Sequence, residues 1–461
     1  MRRRDFWAAG ASALARALLP RQRLAPPALP RPTPSQLAWQ RDELALFLHF
    51  GVNTFTDREW GDGREDPAVF NPPGLDARQW ARAARAAGAR ALILTAKHHD
   101  GFCLWPTALT THSVARSPWR GGSGDVVREF TDACKLEGLR AGLYLSPWDR
   151  NAPVYGDSPR YNDFYCDQLT ELLTRYGPIA EVWFDGANGE GPNGRRQVYD
   201  WPRVFGLVRK LQPQAVMFSD AGPDVRWCGN ESGAAGDPNW ATMDPAAVPY
   251  PGAPGDAVIA ALQHGDPHGS AWRPAEVDVS IRPGWFYHPA EDDRVKTVDQ
   301  LTDIWFTSVG RNSKLLLNVP PTRDGLLHAT DVARLAALRA QMSAALGEDF
   351  VAGRRAQWRG RGPAAAAGEV DLGRTVTASV VRLEEDITQG QRVARYAVYG
   401  AADGPWQELT RGTTIGHRKL DRFSPTPVRR LRVVVEEAIA PPGRLRIGLY
   451  GGGAGAARNP A

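Results

Sequence analysis

Cysteine is scarce in this chain. Four are scattered at Cys103, Cys134, Cys166 and Cys228, and no pair has metal-ligand spacing. That argues against a cysteine-bound metal, and free buried thiols are the expected state. No apolar run is long enough to span a membrane; the candidate nearest the N-terminus, Ala8–Leu19, is short and only mildly apolar. No Gly-x-Gly-x-x-Gly turn follows the first apolar stretch, so a dinucleotide has no obvious seat. Dense Lys/Arg patches are absent beyond residue 30. The first thirty residues hold six Arg and one Asp, which accounts for the whole formal charge of +5. The remainder is near neutral, which speaks against nucleic acid as a partner. After Gly347 no good helical pattern occurs at all.

What is present begins with those thirty residues. Met1-Arg2-Arg3-Arg4-Asp5-Phe6-Trp7 followed by the Ala-rich run resembles a twin-arginine export signal, with Pro26–Pro34 as a Pro-rich linker. A periplasmic or secreted protein is expected, with no membrane span once the signal is removed. The 461 residues suit a barrel plus a smaller domain, and the sixteen Trp include more aromatic faces than a core of this size needs.

From residue 40 to 350, strand-like and helix-like stretches alternate. Leu44–Gly51, Ala89–Ala96, Arg140–Ser146, Ile179–Phe184, Ala215–Ser219, Ala275–Ile281 and Leu315–Val319 read as strands. Between them, Asp76–Gly88, Gly124–Gly138, Tyr161–Tyr176, Trp201–Leu211, Thr297–Val309 and Thr330–Leu346 read as helices. Residues 221–268 are Gly/Pro-rich with little periodicity and read as a long loop. The alternation predicts an α/β fold, a (β/α)8-like barrel over 31–348. Short strands separated by turn residues predict a small β-sandwich over 349–461.

In such a barrel the chemistry gathers at the C-terminal ends of the strands. Those ends carry His49, His98 and His99, Tyr144 and Ser146, Asp185, Glu276 and Asp278, while Arg226, Trp227, Glu231 and Trp285 lie just beyond. Asp185, closing the apolar run Ile179–Phe184, is the candidate nucleophile. Imidazoles, indoles and carboxylates offer hydrogen bonds to hydroxyls and flat apolar surface to a sugar ring, and two carboxylates could flank a glycosidic bond. A metal held by His49, His98, His99 and Asp185 is the rival reading. Adjacent histidines on a strand point to opposite sides, however, and His-His lacks the i, i+4 spacing of a zinc protease helix, so no metal is expected.

Lys97-His98-His99-Asp100-Gly101-Phe102 with Leu104-Trp105 resembles the hallmark of α-L-fucosidases, family 29 of the glycoside hydrolases. So do Leu48-His49-Phe50-Gly51, Glu59-Trp60, Gly142-Leu143-Tyr144, Val182-Trp183-Phe184-Asp185-Gly186 and Leu315-Leu316-Leu317-Asn318-Val319-Pro320-Pro321. The resemblance implies Asp185 as nucleophile of a retaining mechanism, with His49, Glu59, Trp60, His98, His99, Tyr144, Trp183, Arg226 and Trp285 lining a fucose subsite. His98 and His99 would bond ring hydroxyls, and Trp285 would face the C5 methyl group. Arg226–Gly233 resembles the subfamily selective for α-1,3/1,4-fucosyl branches, in which the Glu of Gly-Asn-Glu is the acid/base; that makes Glu231 the preferred acid/base. Trp272–Glu276 also matches a family segment, so Glu276 is the alternative. The implied substrate is a fucosylated oligosaccharide, and no cofactor is needed. An α-L-fucosidase of broader range (α-1,2 or α-1,6) and a catalytically silent fucose-binding protein are the alternative readings.

Overall fold

The computed structural model describes residues 29–360 and 366–452. The export-signal reading covers residues 1–30, of which 1–28 lie outside the described residues.

Eight parallel strands form the first domain: β1 (Leu44–Leu48), β2 (Ala91–Lys97), β3 (Arg140–Leu145), β4 (Glu181–Trp183), β5 (Val216–Phe218), β6 (Arg226–Trp227), β7 (Ala275–Ser280) and β8 (Lys314–Asn318). They pair in the order β5-β4-β3-β2-β1-β8-β7-β6. A parallel bridge from Phe218 to Val225, just before β6, brings the two edges together and nearly closes the barrel. The eighth strand is the one the sequence hides. It is two residues long, inside the stretch read as loop, and too short to show a period.

Helices wrap the outside: α1 (Pro34–Asp42), α2 (Ala77–Ala87), α3 (Val126–Glu137), α4 (Ser158–Arg175), α5 (Trp201–Leu211), α6 (Asp256–His264), α7 (Val298–Thr307) and α8 (Ala329–Ala345). Several begin where a side chain satisfies the free N–H groups of the first turn. Asp76 caps α2, Asp125 caps α3, and Thr297 forms a capping box with Gln300 at α7. The short helix α6 also lies within the region read as loop.

The strand period of two sorts side chains inward and outward. Leu46, Leu92, Val182, Val277 and Leu317 face the helices. Ala45, Phe47, Ile93, Tyr144, Trp183, Val216, Phe218 and Leu316 fill the barrel. Trp39 of α1 belongs to this inner cluster, and its Nε1 donates to Glu181 Oε2 at 3.0 Å. The helix thereby plugs the N-terminal end of the barrel.

The C-terminal domain is one antiparallel sheet of six strands: β9 (Gln357–Arg359), β10 (Ala366–Glu384), β11 (Val393–Ala401), β12 (Gln407–Gly412), β13 (Lys419–Ala438) and β14 (Arg446–Tyr450). β10 and β13, 19 and 20 residues long, pair through register shifts between Asp371 and Val376 and between Ala378 and Val380. Bulges of this kind bend strands, so a single sheet supplies both faces around the core of Val370, Val381, Val398 and Leu431.

Candidate active site

A cavity of about 260 Å³ opens at the C-terminal ends of the barrel strands. Its size suits one sugar ring rather than a chain, since pockets for drug-sized ligands run to roughly 300–1,000 Å³. The floor is aromatic. Trp183 stacks on Phe218 with ring centroids 4.1 Å apart and meets Phe47 at 5.2 Å.

Asp185 follows β4 and faces inward because Val182 and Phe184 face outward. Its Oδ2 accepts the Tyr144 hydroxyl at 3.1 Å, and its Oδ1 accepts the Ala187 N–H at 2.6 Å. Burial and the nearby Asp185 charge push the Tyr144 hydroxyl well above its ordinary value, so it remains a donor. The carboxylate is held from two directions and still open to the cavity.

Three histidines line the wall. His49 Nδ1 lies 2.8 Å from Asn318 Oδ1. The Asn318 amide donates to Ser280 Oγ and to the Trp285 carbonyl, so its oxygen must be the acceptor. His49 therefore carries its hydrogen on Nδ1 and presents a lone pair on Nε2. Burial lowers its pKa to about 3, which keeps it neutral. The same logic applies to His99. Ser146 donates its hydroxyl to the Trp148 carbonyl at 2.6 Å, so His99 Nδ1 donates to Ser146 Oγ at 2.7 Å. Its Nε2 stands 3.8 Å from Asp185 Oδ2. Burial lowers the His99 pKa, and the Asp185 charge only partly opposes this. His98, 4.1 Å from His99 between ring centroids, is held neutral by burial and by its two histidine neighbours. Adjacent histidines were expected to diverge. β2 ends at Lys97, and a turn closed by Gly101 N–H on the His98 carbonyl brings both rings into the cavity.

Glu59 and Trp60 come from the long connection after β1. The Glu59 carboxylate accepts the backbone N–H groups of Trp285 (2.8 Å) and Phe286 (3.1 Å) and is 2.7 Å from His288 Nε2. It lines the cavity and also fixes Trp285 there. Trp60 is 58% exposed, edge-on to His99 and to Trp148, and makes a flat apolar lip.

Glu231 stands at the mouth on a loop after β6. The loop is shaped by Asn230, whose Oδ1 accepts Ser232 N–H at 3.0 Å, and by Gly229 and Gly233 at φ +81° and +88°. Left-handed backbone at both positions favours glycine. The residue is exposed overall, yet its carboxyl is raised above its ordinary value. Partial burial is the main cause; the Trp285 indole opposes it, and the charges of Asp185 and Glu59 add to it.

Two expected residues are not in the cavity. Arg226 is buried and turned outward, its Nε on the Leu262 carbonyl at 2.9 Å and an Nη on Asn239 Oδ1 at 2.8 Å. Strand alternation puts its neighbour Trp227 inward instead, where Nε1 donates to Asp278 Oδ1 at 2.7 Å. Glu276 is sealed beneath the floor. Its Oε1 accepts Trp183 Nε1 at 3.0 Å, and its Oε2 is 3.1 Å from Lys314 Nζ. Glu276, Asp278 and Ser280 share the inner face of β7, but only Asp278 opens into the cavity together with Glu231. Phe47 and Ala187 are the lining residues that the sequence did not single out, and Asp278, collected among the strand-end residues, was given no role in the subsite; the inward positions of Asp278 on β7 and Phe47 on β1 were the available signal.

Among the described residues no three His, Cys, Asp or Glu side chains are grouped as a metal ion would require. All four cysteines are buried and free. No helix among the described residues is long and apolar enough to cross a membrane. The cavity itself presents four carboxyl groups and neutral imidazoles, with no Lys or Arg in its lining. Such a site accepts hydroxyl protons, packs one apolar edge, and favours positive charge developing on a bound ring.

The model of the alpha-L-fucosidase family matches residues 36–345. A putative alpha-L-fucosidase 1 of Oryza sativa subsp. japonica is 45% identical over 443 residues, covering 90% of this chain and 84% of the rice protein. The crystal structure of a putative alpha-L-fucosidase from Bacteroides ovatus is 47% identical at a TM-score of 0.82, covering 92% of this chain and 74% of the other. A glycoside hydrolase family 29 fucosidase of Ruminococcus gnavus, solved in complex with fucose, is 30% identical at a TM-score of 0.83, covering 94% and 98%.

Proposed function

Because the chain belongs to the alpha-L-fucosidase family of glycoside hydrolases, we propose that it is a retaining, exo-acting α-L-fucosidase that removes terminal α-1,3/1,4-linked fucose from oligosaccharides or glycoconjugates. The observation that carries this reading is the pairing of two unlike carboxyls across a one-ring cavity. Asp185 is held by Tyr144 and Ala187 as an acceptor, and Glu231 is raised toward the protonated form.

Fucose enters with its hydroxyls toward His49 and His99, whose Nε2 lone pairs accept, and with Trp183 beneath it. Asp185 attacks the anomeric carbon while Glu231 gives its proton to the leaving oxygen. The glycosidic bond breaks and a covalent fucosyl-Asp185 ester forms. Glu231, now a carboxylate, takes a proton from water, and the resulting attack releases fucose with retained configuration. Retention requires carboxyl groups about 5–5.5 Å apart. The α-1,3/1,4 linkage rests on the Gly229-Asn230-Glu231 segment, and the resemblance of residues 1–30 to a twin-arginine export signal and linker supports delivery to the periplasm or beyond.

Azide rescue tests the assignment. Glu231→Ala should lose most activity on a chromogenic aryl α-L-fucoside, about 10²–10⁴-fold, and recover with azide, giving α-fucosyl azide, the product of two inversions. Rescue of Glu276→Ala in its place would move the acid/base and remove the argument for linkage. An inert wild type on aryl and branched fucosides alike would leave a binding protein.

A further inference from the structure

Asp278 has no part in the two-carboxyl mechanism, yet it stands in the same cavity. It is 3% exposed and lies on the inner face of β7, one inward position above Glu276. One oxygen is occupied by the Trp227 indole N–H at 2.7 Å. Asp278 has no cationic partner among the described residues: the lysine nearest on the neighbouring strand, Lys314, is committed to Glu181 and Glu276 below. The groups that do face it are Glu231 and Asp185 across the cavity, Trp227 and Cys228 from β6 and its loop, and Leu316 beside it on β8. A carboxylate in that setting would add a buried negative charge to that of Asp185, with one neutral donor to hold it.

Resting on the fucosidase reading above, we propose that Asp278 is a further substrate-binding residue that works as a neutral acid, donating its O–H to one ring hydroxyl of the fucosyl unit. Burial, then the charges of Glu231 and Asp185, push its carboxyl well above the ordinary range, in the direction this role requires. The arrangement complements the histidines. His49 and His99 accept from hydroxyls, and the described lining otherwise has few donors aimed inward. One neutral acid supplies a donor without adding charge that would compete with Asp185 for the proton of Glu231.

The test uses α-L-fucosyl fluoride, which has no aglycone ring, and its 2-, 3- and 4-deoxy analogues. Asp278→Asn keeps an acceptor for Trp227 and places an N–H donor in the cavity. It should stay within about threefold of wild type in kcat/KM, while Asp278→Ala should lose about tenfold or more. With one of the three deoxy substrates the Ala penalty should vanish, which a merely structural role would not produce. Equal loss in Asn and Ala variants would show an ionised acceptor and overturn the proposal. So would an Ala penalty that is the same for every deoxy substrate. Wild type inert toward fucosyl fluoride would overturn the fucosidase reading itself, and this inference with it.

Discussion

β4 and β7 each place carboxyl groups at two levels of one barrel, and the two levels have opposite character. The lower level holds Glu181 and Glu276 around Lys314, whose Nζ is 2.6 Å from one and 3.1 Å from the other. Trp39 closes it below and Trp183 above, and the side chains of Glu276 and Lys314 have no exposure. The upper level holds Asp185, Asp278 and Glu231 with no cation and an open mouth. The same residue type is thus inert where a lysine and two indoles enclose it, and chemically available where a cavity opens beside it. Trp183 joins the levels, since its indole N–H is bonded to Glu276 and its ring forms the floor of the cavity.

The comparison can be broken most forcefully at Lys314. Lys314→Met strands Glu181 without a counter-charge, and about 3–5 kcal/mol of stability should be lost. Denaturant unfolding measures it, and adding Glu181→Gln should recover part of the loss. If Lys314→Met unfolds like wild type, the lower level does not depend on its cation.

A smaller effect is expected at Glu276. Burial and the Glu181 charge raise its pKa well above the ordinary 4.5, against the pull of Lys314. A raised acid binds its proton more tightly folded than unfolded. The stability it contributes is full below pH 4.5 and is lost as pH rises toward its folded value. Glu276→Gln mimics the protonated form and should flatten that decline, with kcat/KM close to wild type. Glu276→Ala removes the acceptor of Trp183 and should cost about 1–3 kcal/mol together with activity. Melting temperatures between pH 5 and 9 for both variants decide it.

The upper level should show the contrasting acid limb. His49 falls from 6.5 to about 3 on folding. The unfolded chain takes up a proton below pH 6.5 that the folded one refuses, so stability is present above 6.5 and lost as pH falls toward 3. The slope is at most about 1.36 kcal/mol per pH unit for this group. His49→Gln should lose stability less steeply than wild type between pH 6.5 and 5; an identical slope would mean that His49 is protonated in the fold.

Much of this was legible in the sequence. Apolar runs marked seven strands, and the polar residue ending each run marked the face of the barrel. The eighth strand escaped because two residues, Arg226 and Trp227, carry no period, and only pairing with Ala275 and Glu276 defines them. Arg226 was placed in the site by resemblance, although alternation against Trp227 decides which of the two faces inward. Glu276 and Asp278 were equivalent as letters. Their difference in depth depends on Lys314 and Trp183, which meet them only in three dimensions.

The segment after the Glu231 loop is completed late as the chain is made. The Asn239 N–H is bonded to Thr414 Oγ1 at 2.9 Å and the Ala241 N–H to Gln391 Oε1 at 2.7 Å, while Asp237 meets Lys419 at 2.9 Å. These partners are made 150 to 182 residues later in the chain. A ribosome adding roughly 5–20 residues per second completes the last barrel helix at Ala345 well before it supplies them. The nascent barrel can pin this segment to its own residues Arg226, Thr307, Arg311 and Ser313 first, and it waits for the C-terminal domain only for these last three partners.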